Sequence, residues 1–223
     1  MSPRKAAALR DGGRSLREHL IATAERLMAE RGAAGLTVRA IAREAGVADG
    51  VLYNHFADKE ELLACALRAR VRAVESGLGD LPEPGAGTVE AGLRAFVAYG
   101  MALHAGILPV LAGLAGQPAV LARFAGGPVP GLDWRDRLLA YLKAERDLGR
   151  LAPDARVEAA ARMIVGVCHE PVMSAMASVP PPDPPAPAPP APAPPAPVRG
   201  TAGPDDAGLD DLVAAVLHGL GRR

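Results

Sequence analysis

The stretch from Leu36 to Lys59, LTVRAIAREAGVADGVLYNHFADK, constrains this chain more than any other. Val38, Ile41, Ala42 and Ala45 recur at spacings of three and four residues, which makes one apolar face of a helix. Thr37 precedes it, and its hydroxyl can accept from an orphan backbone N–H of the first turn. Gly46 stands where that helix must stop, because glycine enters the left-handed region at least cost. Val47 plugs the angle to a second helix, Ala48 to Phe56, whose Val51, Leu52 and Phe56 face inward. Asp58 with Glu61 then makes a capping box for the next helix. Two short helices around a tight turn form a helix-turn-helix, whose second helix enters a DNA major groove.

Helices this short cannot bury a core alone, so the motif needs a neighbour. Ser15 and Glu18 make a capping box for a helix running to about Arg31, with Leu16, Leu20, Ala24, Leu27 and Met28 on one side. Gly32 and Gly35 end it, and a three-helix domain over 15–60 results. The chain is 49% hydrophobic but only 3% aromatic, so its core is built from Ala, Leu and Val, which favours close-packed helices over sheets. The expected fold class is all-α throughout. Formal net charge is +0, yet residues 1–72 carry 13 Lys/Arg against 9 Asp/Glu, while residues 73–223 carry 12 against 16. The basic excess coincides with the helix-turn-helix, as an electrostatic footprint on nucleic acid should.

Beyond the motif the chain reads as helix after helix. Lys59 to about Glu75 places Leu62, Leu63, Ala66, Leu67 and Val71 inward, and the Gly- and Pro-containing loop from Ser76 to Gly87 marks a domain boundary. A helical regulatory and dimerisation domain over 61–179 is expected to contain helices at Thr88–Ala105, Ile107–Leu114, Pro118–Phe124 and Asp133–Asp147. Asp154 caps a further helix reaching about Met176, which Pro171 kinks or interrupts. This last helix is apolar over so much of its circumference that it must be buried or form a subunit interface. Residues 180–204 form a proline-rich linker, with 12 prolines among residues 180–198. Such a run is extended and semi-rigid at about 3.1 Å per residue, or else a ligand for an aromatic-lined recognition domain. A final amphipathic helix, Asp205 to Leu220, belongs to the regulatory domain at 205–223 and needs a partner surface. Residues 1–14 are basic and read either as a solubilising tail or as a flexible arm along phosphates.

Several function classes are disfavoured. Cys65 and Cys168 have neither metal spacing nor a disulfide framework and read as reduced core thiols. His19, His55, His104, His169 and His218 are scattered, and no carboxylate pair, nucleophile elbow or phosphate loop appears, so neither an enzyme nor a cofactor is expected. Without a signal-peptide pattern or a membrane-length apolar run, the expected location is the cytoplasm.

Within the motif, Arg39 can make a bidentate guanine contact or a phosphate contact. Ala48, Asp49, Gly50 and Val51 sit at the start of the second helix, where Val51 can meet a thymine methyl. Asp49 can accept from cytosine N4 or cap the helix, and capping avoids placing a carboxylate against phosphates. Tyr53 and His55 can donate to phosphates. Lys59 opposes the dipole at a helix start, which points to phosphate pairing instead.

The segment LTVRAIAREAGVADGVLYNHFADKEELL, Leu36 to Leu63, resembles the DNA-binding domain of the TetR/AcrR family of one-component transcriptional regulators, and Leu16 to Gly32 fits the preceding helix. The resemblance implies that Thr37 caps the second helix and touches phosphate. Arg39 and residues 48–51 match base-reading positions, and Tyr53, His55 and Lys59 match backbone anchors. The chain departs from the family pattern at Ala48, where many members have Ser or Thr, at the charge of Asp49, and in the proline-rich insert. The resemblance further implies a homodimer built on helices near 154–176 and 205–220. It also implies a small-molecule effector bound in the helical core and acting on operator binding, most simply to release a repressor. Pocket candidates are Phe96, Tyr99, Met101, His104, Trp134, Tyr141, Met163 and His169, whose mostly apolar character suits a hydrophobic ligand. A different reading of the whole chain is a helical protein-interaction module that uses the polyproline segment.

Overall fold

Ser15 opens the first helix by a reciprocal exchange. Its hydroxyl accepts the Glu18 amide at 3.2 Å, and the Glu18 carboxylate accepts the Ser15 amide at 2.7 Å. The computed structural model describes residues 15–127, 133–177 and 206–220. The described residues form α1 (Leu16–Arg31), α2 (Val38–Ala45), α3 (Asp49–Leu52), α4 (Lys59–Ser76), α5 (Val89–Gly113), α6 (Pro118–Ala125), α7 (Trp134–Asp147), α8 (Val157–Ala177) and α9 (Asp206–Gly219), with no strand among them. The fold is all-α. The N-terminal arm and the proline-rich linker lie outside the described residues.

The chain divides into two compact units, Met1–Leu81 with Ala102–Leu138, and Pro82–Met101 with Leu139–Arg223. In the first, α1 packs on α4, and Leu20, Leu27 and Met28 of α1 and Leu62, Leu63 and Leu67 of α4 are all fully buried. Helix α2 packs on α1, α3 on α2, and α6 on α4. Two arginines fasten α6 to α4. Arg68 donates to the carbonyls of Arg123 and of Phe124, the latter at 3.1 Å, at the end of α6 where carbonyls lack helical partners. Arg123 in turn donates to Asp58 at 2.5 Å.

The expected break between Thr88–Ala105 and Ile107–Leu114 is absent, since α5 is a single helix of 25 residues. Pro109 removes one amide, so the carbonyl of Ala105 loses its helical donor, and the ring crowds that turn. The helix survives because Leu103, Ile107 and Val110 are buried on one side. Arg70 supplies a substitute donor beside the defect, reaching the carbonyl of Gly106 at 3.2 Å. The expectation that no apolar run reaches membrane length is corrected at α5, which by length and composition could cross a membrane because Pro109 does not divide it. A buried face running through Leu93, Phe96, Val97, Leu103 and Ile107 equally suits a core helix.

In the second unit the core draws on Leu93, Phe96 and Val97 from α5, Tyr141 and Leu142 from α7, and Ile164, Cys168 and Val172 from α8. From α9 it takes Leu209, Val213, Val216 and Leu217. Arg94 pairs with Asp210, and Lys143 with Glu158 at 3.2 Å. Glu145 is fully buried and binds two neighbours, the Gly85 amide at 2.9 Å and the Arg150 guanidinium at 3.2 Å. Burial pushes the Cys168 thiol up to about 12. Both cysteines are unbridged, as expected.

One expectation about α8 needs correction, and the kink or interruption expected at Pro171 is narrowed. It starts at Val157, with Asp154 left in a preceding turn where the Ala155 amide donates to Ala152 at 3.0 Å. Buried Ala155 and Val157 fix that entry instead of a side-chain cap. Nor does Pro171 interrupt the helix, which continues to Ala177. Only the bond to the Val167 carbonyl is forfeited, and Cys168 and Val172, buried on either side, hold the turn.

Candidate nucleic-acid interface

The α2–α3 segment is built by local chemistry at both ends. Thr37 lies in extended backbone, and its hydroxyl accepts the Ala40 amide at 3.1 Å to start α2. Gly46 closes the helix in the left-handed region at φ 71, and the Val47 amide donates back to Ala42 at 2.9 Å, the six-to-one bond of a Schellman turn. Asp58 caps α4 by accepting the Glu61 amide at 2.8 Å. The reciprocal half of that box lands one residue earlier, with the Glu61 carboxylate accepting the Ala57 amide at 2.7 Å.

Helix α3 is shorter than the expected Ala48–Phe56, covering only Asp49–Leu52. After Leu52 the ladder tightens, and the amides of Asn54 and His55 donate to Val51 and Leu52 at 3.2 and 3.0 Å. The cause is Phe56, which must turn inward to be buried while the chain reaches the extended backbone of Asp58. Arg17 of α1 secures this exit. Its guanidinium lies 4.6 Å from the Phe56 ring centroid, donates to the His55 carbonyl at 3.3 Å, and pairs with Glu61 at 2.8 Å. Arg17 was invisible as a functional residue in the sequence, since its partners lie 38 and 44 positions away.

Of the nine expected contact residues, Thr37, Arg39, Ala48, Asp49, Gly50 and Tyr53 are exposed, and Val51, His55 and Lys59 are half-buried. Tyr53 is 60% exposed, unusual for so large an apolar body without a partner surface. Ala48 occupies the cap position of α3 and supplies no side-chain acceptor. Asp49 is the first helical residue, so it does not cap as expected; its Oδ2 instead accepts from Arg39 Nε at 3.4 Å. Gly50 has no left-handed backbone, and a Cβ added there would meet nothing within 4 Å.

Part of the basic excess is offset by ion pairs within the domain. Arg26 bonds Glu44 at 2.7 Å and Glu30 at 3.1 Å, Arg31 reaches Glu44 at 3.8 Å, and Arg70 reaches Glu25 at 3.5 Å. The Arg26 bond holds the Glu44 carboxyl below its usual range. Arg39, with its side chain 88% exposed, is by contrast displayed on α2.

The expected pocket residues are distributed over both units. In the first, His104 and Trp134 meet edge to face at 5.2 Å. In the second, Phe96 packs on Tyr141 at 4.8 Å, and the Tyr141 hydroxyl rests over Gly92, where a Cβ would come within 1.9 Å. Burial and the neighbouring Glu145 charge raise the Tyr141 phenol far above its ordinary range. Tyr99, Met101 and His169 are half-buried. Met163 is 63% exposed and edges a surface hollow of about 200 Å³, lined by Ala159 and Ala160 of α8 and by Ala215, Val216 and Leu220. Among the described residues no cluster of His, Cys, Asp or Glu could hold a metal ion.

Comparison with known proteins follows the same geography. Residues 20–66 match the family described as bacterial regulatory proteins, tetR family. The HTH-type transcriptional repressor KstR2 of Mycobacterium tuberculosis is 48% identical over 54 residues, which cover 24% of this chain and 27% of the repressor. The matched chain thus spans about a quarter of the length of that relative, 27%. Among solved structures, the fatty acid degradation regulator FadR of Bacillus halodurans superimposes with a TM-score of 0.54 at 19% identity, over 93% of this chain and 97% of FadR. Salmonella enterica GusR does so with a TM-score of 0.58 at 14% identity, over 92% and 95%. At such identities these two show the fold alone.

Proposed function

We propose that this chain, a member of the TetR family of transcriptional regulators, binds double-stranded operator DNA as a homodimer and is a cytoplasmic repressor released by a small hydrophobic effector. The observation that carries the DNA-binding reading is the α2–α3 segment, capped at Thr37, closed at Gly46 and clamped by Arg17, which displays Arg39, Gly50 and Tyr53 to solvent. A well-fastened scaffold under an exposed arginine and an exposed tyrosine suits a groove-reading surface with phosphate anchors. Thr37, Tyr53, His55 and Lys59 are assigned to phosphates, and Arg39 with Ala48, Asp49, Gly50 and Val51 to bases. Residues 15–60 are the DNA-binding domain, and 61–179 with 205–223 the regulatory one. The name of the KstR2 relatives supports repression rather than activation. The buried Phe96–Tyr141 pair supports an apolar effector within the second unit, near Tyr99, Met101 and His169.

A mobility shift on the DNA adjoining the chain's own gene tests the proposal. Salt-sensitive, sequence-preferring binding is expected, and Lys59→Ala is expected to weaken it by about 3- to 10-fold across all sequences while reducing the salt slope by about one. No sequence-preferring binding by the wild type, with or without candidate effectors, would overturn it.

Gly50 provides an independent check. A glycine inside a helix costs roughly 0.5–1 kcal/mol relative to alanine, and nothing in the fold demands one here. Gly50→Ala is therefore expected to raise the denaturation midpoint while weakening operator binding, because the bare backbone lets α3 lie close against the groove. A variant that is more stable and binds equally well would remove Gly50 from the interface.

A further inference from the structure

The contact between Arg39 and Asp49 joins the two helices of the reading segment across ten positions of sequence, and stability does not explain it. Both side chains are largely exposed, and ion pairs in such settings contribute little to folding. The first-turn position accounts for a carboxylate at Asp49, through the helix dipole, but not for its approach to an arginine on the neighbouring helix. The cap position beside it is filled by Ala48, which takes no part in the contact. A carboxylate facing a polyanion is also unfavourable for plain affinity, which makes its presence at this edge a matter of selection rather than strength.

The atoms engaged are informative. Asp49 Oδ2 accepts from Nε of Arg39 at 3.4 Å. A guanidinium held at Nε leaves free the end-on pair of N–H groups on its two terminal nitrogens, and that pair can donate to guanine O6 and N7. An arginine 88% exposed has many rotamers to choose from, and this contact selects among them. Next to it, Gly50 adds no side chain that could obstruct a base edge.

We infer that Asp49 is a positioning residue for base readout: it holds Arg39 through Nε so that discrimination for one G·C pair in each half-site belongs to the Arg39–Asp49 pair rather than to Arg39 alone. This rests on the DNA-binding reading above. Removing the carboxylate frees the guanidinium to reach phosphates, so specificity falls while general affinity holds or rises.

The test is selection of bound duplexes from a random library by the full-length wild type, Asp49→Asn, Asp49→Ser and Arg39→Ala, each checked for an unchanged thermal midpoint. The wild type is expected to select guanine at one position per half-site by about 10- to 100-fold over other bases. Both Asp49 variants are expected to retain binding, with preference at that position alone reduced to within about threefold, and to bind non-cognate duplex at least as tightly as the wild type. Methylating that guanine at N7 should weaken the wild type and leave the Asp49 variants nearly unaffected. Asp49 variants selecting the wild-type motif with undiminished preference would overturn the inference and leave the DNA-binding reading intact. So would an Arg39→Ala variant that keeps the guanine. Wild-type protein that selects no sequence would overturn both.

Discussion

Glu145→Ala is expected to lower the unfolding free energy by about 3–5 kcal/mol, the range seen when one partner of a buried ion pair is removed. The Glu145 side chain has no solvent exposure, and its carboxylate is the shared acceptor of a small network. It takes the Gly85 amide at 2.9 Å and Arg150 Nη1 at 3.2 Å, while Arg150 Nη2 donates to the Gly87 carbonyl at 2.6 Å. Alanine would leave a mostly buried guanidinium without its counter-charge and the Gly85 amide without its protein acceptor, the first being the larger cost because Gly85 itself is exposed. Glu145→Gln keeps an acceptor for Gly85 but loses the charge, so an intermediate loss of about 1–3 kcal/mol is expected. Replacing both Glu145 and Arg150 with methionine should recover much of the deficit, because the desolvation of two charges disappears along with their attraction. Urea titrations at one fixed protein concentration distinguish these outcomes, with slopes that stay constant across the series. An alanine variant within about 0.5 kcal/mol of wild type would show that the network contributes little.

This network also shows where sequence reading succeeds and fails. The helix-turn-helix was legible because its determinants are local: Ser15 reaches Glu18, Thr37 reaches Ala40, and Gly46 folds back on Ala42. Each signal lies within five positions, so spacing alone exposes it. Glu145 and Gly85 are 60 positions apart, and Arg68 lies 56 from Phe124, so no window along the chain pairs them. The extent of α3 failed for a related reason. Whether Tyr53 to His55 stays helical depends on Phe56 finding its place under Arg17, a tertiary demand that overrides propensity. At Gly106 and Pro109, residues that usually break helices were outvoted by a buried face and by an arginine from α4. The positions expected to read bases could be placed in the sequence, but the contacts of their side chains could not. That Asp49 faces Arg39 rather than capping its own helix requires the angle between α2 and α3, which only the fold supplies.

Met163→Glu is expected to turn the proposed homodimer into a monomer of 22.9 kDa and to weaken binding to a two-half-site operator by about 10²- to 10⁴-fold. Along α8, Ala160, Ala161, Ile164, Cys168 and Val172 face the core, whereas Met163 and Met173 stand 63% and 45% exposed. Around Met163 the surface is mostly apolar, with Ala159 beside it, Ala215, Val216 and Leu220 across the hollow, and Arg156 at its edge. Flexible methionines on such a patch suit contact with another apolar surface better than contact with water. A second copy would cover the same patch on both subunits, as two-fold symmetry requires. A glutamate at that place would be desolvated in the dimer, with Arg156 the one charged residue lining the hollow, yet remain solvated in the monomer, so the change acts on assembly and spares the fold. Light scattering should therefore report a halved mass with an unchanged helical spectrum. Binding to an isolated half-site should match that of wild-type protein, because the α2–α3 segment is untouched, while the gain from occupying two half-sites together disappears. If Met163→Glu remains dimeric and holds the full operator as wild type does, the α8–α9 face is not the subunit interface.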